Sequence, residues 1–179
     1  MSELLNALYS VKKRSKRTVR LLLVGGKLTT DYLSRVEDEV KVLGLNENVI
    51  GAGFIRHEEV PKYIAASDLC VIPKNPADPV SYYSSPVKLW EYLAQAKPVI
   101  STPIPEVLYC AKEYVSFART RFDYFSHIMA FLKDPSYFLE RARKGQNVAR
   151  EYIWSKIADD YRCLLLSLLD KKRQGNAFP

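Results

Sequence analysis

The sequence predicts an α/β domain in which a parallel sheet carries helices on both faces. Three observations predict it. Stretches with apolar residues at helical spacing alternate with short apolar runs along the whole chain. The run 18–24, Thr-Val-Arg-Leu-Leu-Leu-Val, is nearly all apolar, as a central parallel strand covered on both faces should be. The chain has 179 residues, enough for one domain with a full core. Right-handed crossovers follow from this arrangement.

The elements read in order as follows. Leu4, Leu5, Leu8 and Val11 repeat at helical spacing, which predicts a helix over 2–11 with Ser2 as its cap. The strand 18–24 ends at Gly25-Gly26. The next helix turns Tyr32, Leu33, Val36, Val40 and Leu43 inward and stops at Gly44. Residues 48–50 form a short strand leading into 51–55, Gly-Ala-Gly-Phe-Ile. A third helix covers 57–66 and a strand covers 69–72. The stretch 73–85 is the least regular, with Pro73, Pro76, Pro79, Asp78 and the pair Tyr82-Tyr83. Pro86 suits the first turn of a helix that packs Leu89, Trp90 and Leu93 inward and ends at Pro98. Val99-Ile100 is a core strand, Pro103 and Pro105 enforce a turn, and Glu106 opens a short helix. Residues 114–117 form a last edge strand. Helices over 123–133, 136–150 and 154–169 close the chain. Ile128, Phe131 and Leu132 face inward in the first of these, and Ile157, Tyr161, Leu164, Leu165 and Leu168 form a stripe in the last. The domain thus covers 1–170, and 171–179 is a basic, frayed tail.

Composition excludes several classes of function. No apolar run approaches the ~20 residues that span a bilayer, and no secretory leader pattern is present. Cys70, Cys110 and Cys163 are scattered and odd in number, so they read as small buried hydrophobes of a reducing compartment. With only His57 and His127, a histidine-rich metal cluster is not available. The net charge is +7, concentrated in Lys12, Lys13, Arg14, Lys16, Arg17 and Arg20, and again in Lys171, Lys172 and Arg173. Such a run can meet anionic lipid, phosphorylated ligands or nucleic acid, or simply be solvated. No aromatic residues interleave with it, which argues against a nucleic-acid platform.

Ligands of open parallel sheets bind at the carboxyl ends of the strands. That rule points to the loops at Gly25-Gly26-Lys27, 53–56, 73–85 and 102–106. The helix after Pro86 starts at this edge. Its amide groups at Val87 and Lys88 suit a phosphate, and Glu91, one turn in, suits a sugar hydroxyl. Lys88 and Glu91 are also neighbours on the helix surface and can pair with each other.

The wording of this stretch carries more. Pro86-Val87-Lys88-Leu89-Trp90-Glu91-Tyr92-Leu93-Ala94, followed by Lys97-Pro98-Val99-Ile100-Ser101-Thr102, resembles the signature of retaining GT-B glycosyltransferases of the "glycosyl transferases group 1" type. Leu22-Leu23-Val24-Gly25-Gly26, Leu43-Gly44-Leu45 with Gly53-Phe54-Ile55, Ala66-Ser67-Asp68-Leu69, and Pro105-Glu106-Val107 resemble further segments of that family in the same order. The resemblance implies a Rossmann-like three-layer domain, one half of a GT-B fold, that binds the nucleotide-sugar donor. It implies that Phe54, Ile55 and Arg56 hold the nucleobase and that Glu91 takes the ribose diol. It further implies that Val87 and Lys88 face the diphosphate and that Ser85, Gly25, Gly26 and Glu106 are further donor contacts. The family pattern has two glutamates eight apart. The first falls on Tyr83 here, so no catalytic residue is assigned.

The resemblance begins after the family domain's first strand and its phosphate-binding Arg and Lys, and it includes no acceptor-binding domain. The implied partners are therefore a nucleotide-sugar and an N-terminal acceptor-binding domain or separate subunit. The implied place is the cytoplasm, with peripheral contact to an anionic membrane. No cofactor is expected beyond the nucleoside-diphosphate sugar substrate, and the isolated chain is expected to be inactive. A non-catalytic docking subunit with the same fold remains the alternative reading.

Overall fold

The computed structural model describes residues 1–25 and 30–173. The parallel character of the sheet holds throughout. The elements in order are α1 (Ser2–Arg14), β1 (Leu21–Val24), α2 (Thr30–Val42), β2 (Val49–Gly53), α3 (Val60–Ala65), β3 (Cys70–Ile72), α4 (Pro79–Tyr82), α5 (Val87–Ala94), β4 (Val99–Ser101), α6 (Pro105–Ala111), β5 (Val115–Phe117), α7 (Arg121–Lys133), α8 (Ser136–Ala149) and α9 (Trp154–Arg173). Single turns of 3-10 helix precede α3 and α9. Among the described residues the strands form two sheets, β1-β2 and β3-β4-β5, with every pairing parallel.

Alternation along β3 sorts the helices onto two faces. Cys70 and Ile72 point into a core built by α3, α5, α6 and α8 through Ile64, Leu89, Leu93, Val107 and Ala149. Val71 points the other way, against Leu4, Val11, Tyr124 and Ile128 of α1 and α7. A third cluster packs Leu5 and Leu8 of α1 on Val36 and Val40 of α2 and on Leu21 and Leu23 of β1. The helix–sheet–helix layering read from the sequence is therefore present.

Several local expectations change. Ser2 does not cap α1. Met1 takes that position, and Ser2 Oγ donates to Glu39 Oε2 at 2.8 Å, tying α1 to α2 instead. β1 begins at Leu21 rather than at 18, because Asn48 Nδ2 takes the Val19 carbonyl at 2.9 Å. It is no central strand among the described residues, since β2 is its sole partner there. Val36 and Val40 are buried, whereas Tyr32 and Leu33 are about two-fifths exposed. The helix expected over 57–66 is a 3-10 turn followed by α3, with Pro61 in its first turn. The stretch 73–85 contains α4, whose Asp78 carboxylate accepts from the Val80 and Ser81 amides.

Helix α5 ends at Ala94, ahead of Pro98. The Ala96 and Lys97 amides donate back to Leu93 and Tyr92, with Ala96 at φ +52°. Gly44 performs the equivalent turn after α2 at φ +63°, where a side chain would be strained. Of the cysteines, Cys70 is buried, Cys110 is half-buried and Cys163 is exposed, so only the first fits the expectation of a buried hydrophobe. The stripe on α9 is not buried either. Tyr161, Leu164 and Leu165 are exposed, because no described element packs over them. Helix α9 runs to Arg173. Residues 174–179 lie outside the described residues.

The start of α7 carries a capping box. Thr120 Oγ1 accepts from the Asp123 amide, and the Asp123 carboxylate accepts from the Arg119 and Thr120 amides at 2.9 Å each. Those bonds hold the Asp123 carboxyl below its ordinary value of 3.8. A depressed folded pKa contributes stability that is complete above the unfolded value and lost as pH falls through the folded one. Wild type is therefore expected to melt above Asp123→Asn near neutral pH, with the gap closing as the pH falls below about 3.8. Melting curves across that range check this, and a gap independent of pH would refute it.

Candidate functional site

Three of the four loops at the strand ends reach one cavity, through Gly25, Ile55 and Pro73, and the 102–106 loop does not line it. A cavity of about 870 Å³ runs between β1 and β3, within the ~300–1,000 Å³ range of small-molecule sites. At the carboxyl ends of the strands its wall is formed by Gly25, Ile55, Pro73, Lys88, Glu91 and Tyr92. Gly25 is positioned by its amide, which donates to the Gly53 carbonyl at 3.1 Å and joins the ends of β1 and β2. Lys88 and Glu91 project from the first turns of α5. That helix is held by the fully buried Leu89 and Leu93 on its opposite face. Its end is secured by Lys97 Nζ, which donates to the Ala65 carbonyl at 2.7 Å.

The electrostatics of this wall favour an anion. Although part of the Lys88 side chain reaches the surface, desolvation of its ammonium lowers the pKa. The neighbouring charge of Lys74 lowers it further, and Glu91 partly offsets both. A partly desolvated ammonium beside a second cation gains from a negative ligand. Lys74, just beyond β3, was not singled out by sequence reasoning. Its signal was present in the rule that ligands meet the loops at strand ends. Tyr92, also unanticipated, has its hydroxyl pKa pushed up to about 12, chiefly by burial and then by Cys70 and Glu91. Its phenol therefore stays protonated and can donate a hydrogen bond at neutral pH.

The expected residues divide into groups. Gly25, Ile55, Lys88 and Glu91 share the cavity. Phe54 and Val87 flank it but are 78% and 54% exposed. Arg56 is directed to Glu59, at 3.9 Å, in an exposed pair of little energetic weight. Ser85 and Glu106 meet each other away from the cavity lining. Ser85 Oγ donates to Glu106 Oε1 at 3.3 Å, and Cys110 Sγ approaches the same oxygen at 3.3 Å. Tyr152 lies beside Cys110 and stacks on Trp90 at 3.6 Å between ring centroids. Gly26 lies outside the described residues.

Part of the basic run is engaged by the protein itself. Lys12 Nζ donates to the Gly44 carbonyl at 2.7 Å, capping α2. Lys13 and Arg14 sit over the rings of Tyr9 and Phe125. Lys16, Arg17 and Arg20 are exposed. Among the described residues no group of His, Cys, Asp and Glu is placed to hold a metal ion, and no helix is long and apolar enough to cross a membrane.

Comparison with known proteins places this geometry in context. The fold resembles that of sucrose-phosphate synthase from Thermosynechococcus elongatus, with TM-score 0.77 and 21% identity over 94% of this chain and 43% of that one. It also resembles Anabaena Alr3699/HepE, solved with UDP and glucose, with TM-score 0.72 and 18% identity over 90% of this chain and 44% of that one. The C-terminal domain of the LpcC group 1 glycosyltransferase from Francisella tularensis gives 0.66 and 20% over 83% of this chain and 76% of that one. These likenesses show the fold, that of a GT-B glycosyltransferase domain. In sequence, 68 residues are 37% identical to TuaH of Bacillus subtilis (strain 168), provisionally named as a teichuronic acid biosynthesis glycosyltransferase. That stretch is 38% of this chain and 17% of TuaH, so the match spans a small part of its relative. Residues 1–121 match the family model "Glycosyl transferases group 1", and the chain belongs to that family.

Proposed function

We propose that this chain is the donor-binding half of a two-domain glycosyltransferase, which moves a sugar from a nucleoside-diphosphate sugar to a glycan or lipid acceptor. The observation that carries the reading is the cavity wall, where Gly25, Ile55, Lys88 and Glu91 converge at the carboxyl ends of the strands. Glu91 accepts from the ribose diol, since a carboxylate has acceptor sites for both hydroxyls. The Val87 and Lys88 amides at the start of α5, with the Lys88 and Lys74 ammonium groups, neutralise the diphosphate. Ile55 and Phe54 offer apolar surface to the base. That HepE was solved with UDP and glucose supports a nucleotide ligand for this fold.

Transfer also needs an acceptor held in line with the donor. That task belongs to an acceptor-binding domain or separate subunit, and residues 1–179 by themselves are inactive. The exposed apolar side of α9, with Trp154, Tyr161 and Leu164, supports such docking. In this reading the reaction runs in the cytoplasm, peripheral to the membrane, where the exposed Lys16, Arg17 and Arg20 contact anionic lipid.

Calorimetric titration with uridine, guanosine and adenosine diphosphates tests the reading. One of the three is expected to bind, and Glu91→Ala is expected to weaken it by at least tenfold, about 1.4 kcal/mol or more. Unchanged affinity in the variant would remove Glu91 from its role. Absence of binding by all three, with tight capture of an acceptor-domain subunit, would select the docking subunit instead.

A further inference from the structure

The connection from α1 to β1 carries three cations that the fold leaves uncommitted. Lys12 is spent on the Gly44 carbonyl, and Lys13 and Arg14 lie over the Tyr9 and Phe125 rings. Lys16, Arg17 and Arg20 are exposed, and among the described residues no carboxylate or carbonyl pairs with their side chains. The turn is tied by Ser15, whose Oγ accepts from the Arg17 amide at 2.9 Å and donates to the Arg17 carbonyl at 3.2 Å. Like charges held this close in the chain repel one another, and an anionic surface relieves that repulsion.

This connection enters β1 at its amino end, whereas the donor groups stand at the other end of the strand. From Arg20 to Gly25 the chain climbs about 17 Å, at ~3.3 Å per residue. Attraction to a charged surface fades within a Debye length, ~8 Å at physiological salt. A bilayer that meets Lys16, Arg17 and Arg20 is therefore out of range of Lys88 and Lys74, and those two stay available to a diphosphate. Arg56, near the donor site, already pairs with Glu59. The opposite orientation would put the exposed Phe54, Tyr83 and Val87 into lipid, but it would also seal the donor site.

We propose that the domain meets an anionic lipid surface with the amino end of β1, through Lys16, Arg17 and Arg20, so that the donor site opens away from the bilayer and the sugar passes to an extended glycan whose reacting end stands about 17 Å or more from the lipid. The proposal rests on the donor-binding reading for its chemistry, and adds to it the face that meets lipid and the class of acceptor. A sugar seated directly on a headgroup does not reach such a site, whereas a chain that has already been lengthened does.

The test uses the protein with vesicles of phosphatidylcholine alone or mixed with phosphatidylglycerol. The protein is expected to sediment with the anionic vesicles only. Each Lys or Arg at such a surface is worth roughly fivefold in partition. Replacing all three, Lys16→Ala with Arg17→Ala and Arg20→Ala, is thus expected to weaken binding by more than about tenfold in a protein that folds normally by circular dichroism. Should that variant not fold, ~1 M salt, where the Debye length is ~3 Å, removes the same attraction from the unaltered protein. Amide hydrogen exchange then reads the orientation. On anionic vesicles it is expected to slow by about twofold or more over 15–20 and to stay unchanged over 54–56 and 83–88. A nucleoside diphosphate added to the vesicle-bound protein is expected to bind as tightly as in solution, because the site stays open. Slowed exchange over 54–56 or 83–88, equal binding to neutral vesicles, or weaker nucleotide binding on vesicles overturns the proposal. Absence of vesicle binding overturns it too, and duplex DNA bound under the same conditions would assign the face to nucleic acid. If the orientation holds and no nucleoside diphosphate binds with or without vesicles, the donor reading fails and takes the acceptor class with it, while the lipid-facing edge stands.

Discussion

Leu93→Ala is expected to lower the unfolding free energy by about 3 kcal/mol, among the larger losses available to a single substitution here. Leu93 is fully buried and joins α5 to β3, β4, α6 and α8 within one cluster. Its surroundings cannot collapse to fill the void. A Cβ placed on Gly145 of α8 would already meet Leu93 Cδ2 at 2.8 Å and Tyr114 Cβ at 3.0 Å, so the glycine is what allows α8 to lie this close. The removed methyl groups therefore leave a cavity rather than a repacked core. Urea denaturation checks the figure. A loss below about 1 kcal/mol would mean that α8 settles onto α5 after all.

Arg141→Met is expected to cost about 2 kcal/mol, the second largest effect. The guanidinium of this α8 residue donates to the Glu113 carbonyl at 2.7 Å, the Lys112 carbonyl at 3.2 Å and the Val115 carbonyl at 2.7 Å. It also reaches Ser116 Oγ at 3.4 Å and lies over the Tyr137 ring at 5.2 Å. One side chain thus closes the carboxyl end of α6, where a cation is favoured, and covers the outer edge of β5, which would otherwise present unpaired groups. Methionine keeps much of the stem's volume but removes every donor. Arg141→Lys keeps the charge without the planar fork and should recover less than half of the loss. Full recovery by lysine would show that charge rather than geometry matters at this position.

These two effects sit at different distances from what the sequence makes legible. Leu93 could be read directly, because Leu89 and Leu93 four apart, with Pro86 before them and Pro98 after, mark a buried helical face. Arg141 could not. It is one of several basic residues on α8, and only the fold brings three carbonyls from another segment within its reach. The candidate site divides along the same line. Glu91 and Lys88 were legible because their spacing on one short helix already fixes their relation. The company of Lys74 and Tyr92 was not, since residues from separate strands and helices meet only when the sheet forms.

What the sequence determined by itself was local and periodic. It set the alternation of strands and helices, the parallel sheet, the faces of α1, α5 and α7, and the family, carried by motifs in order. What only the tertiary structure decided was where backbone hydrogen bonds go and which faces find a cover. It set Ser2 against Glu39 rather than at the cap, began β1 at Leu21 because Asn48 claims Val19, and left α9 bare. The reason is physical. Period and propensity act over a few residues, whereas pairing partners and burial depend on residues tens of positions away, whose positions no local pattern encodes.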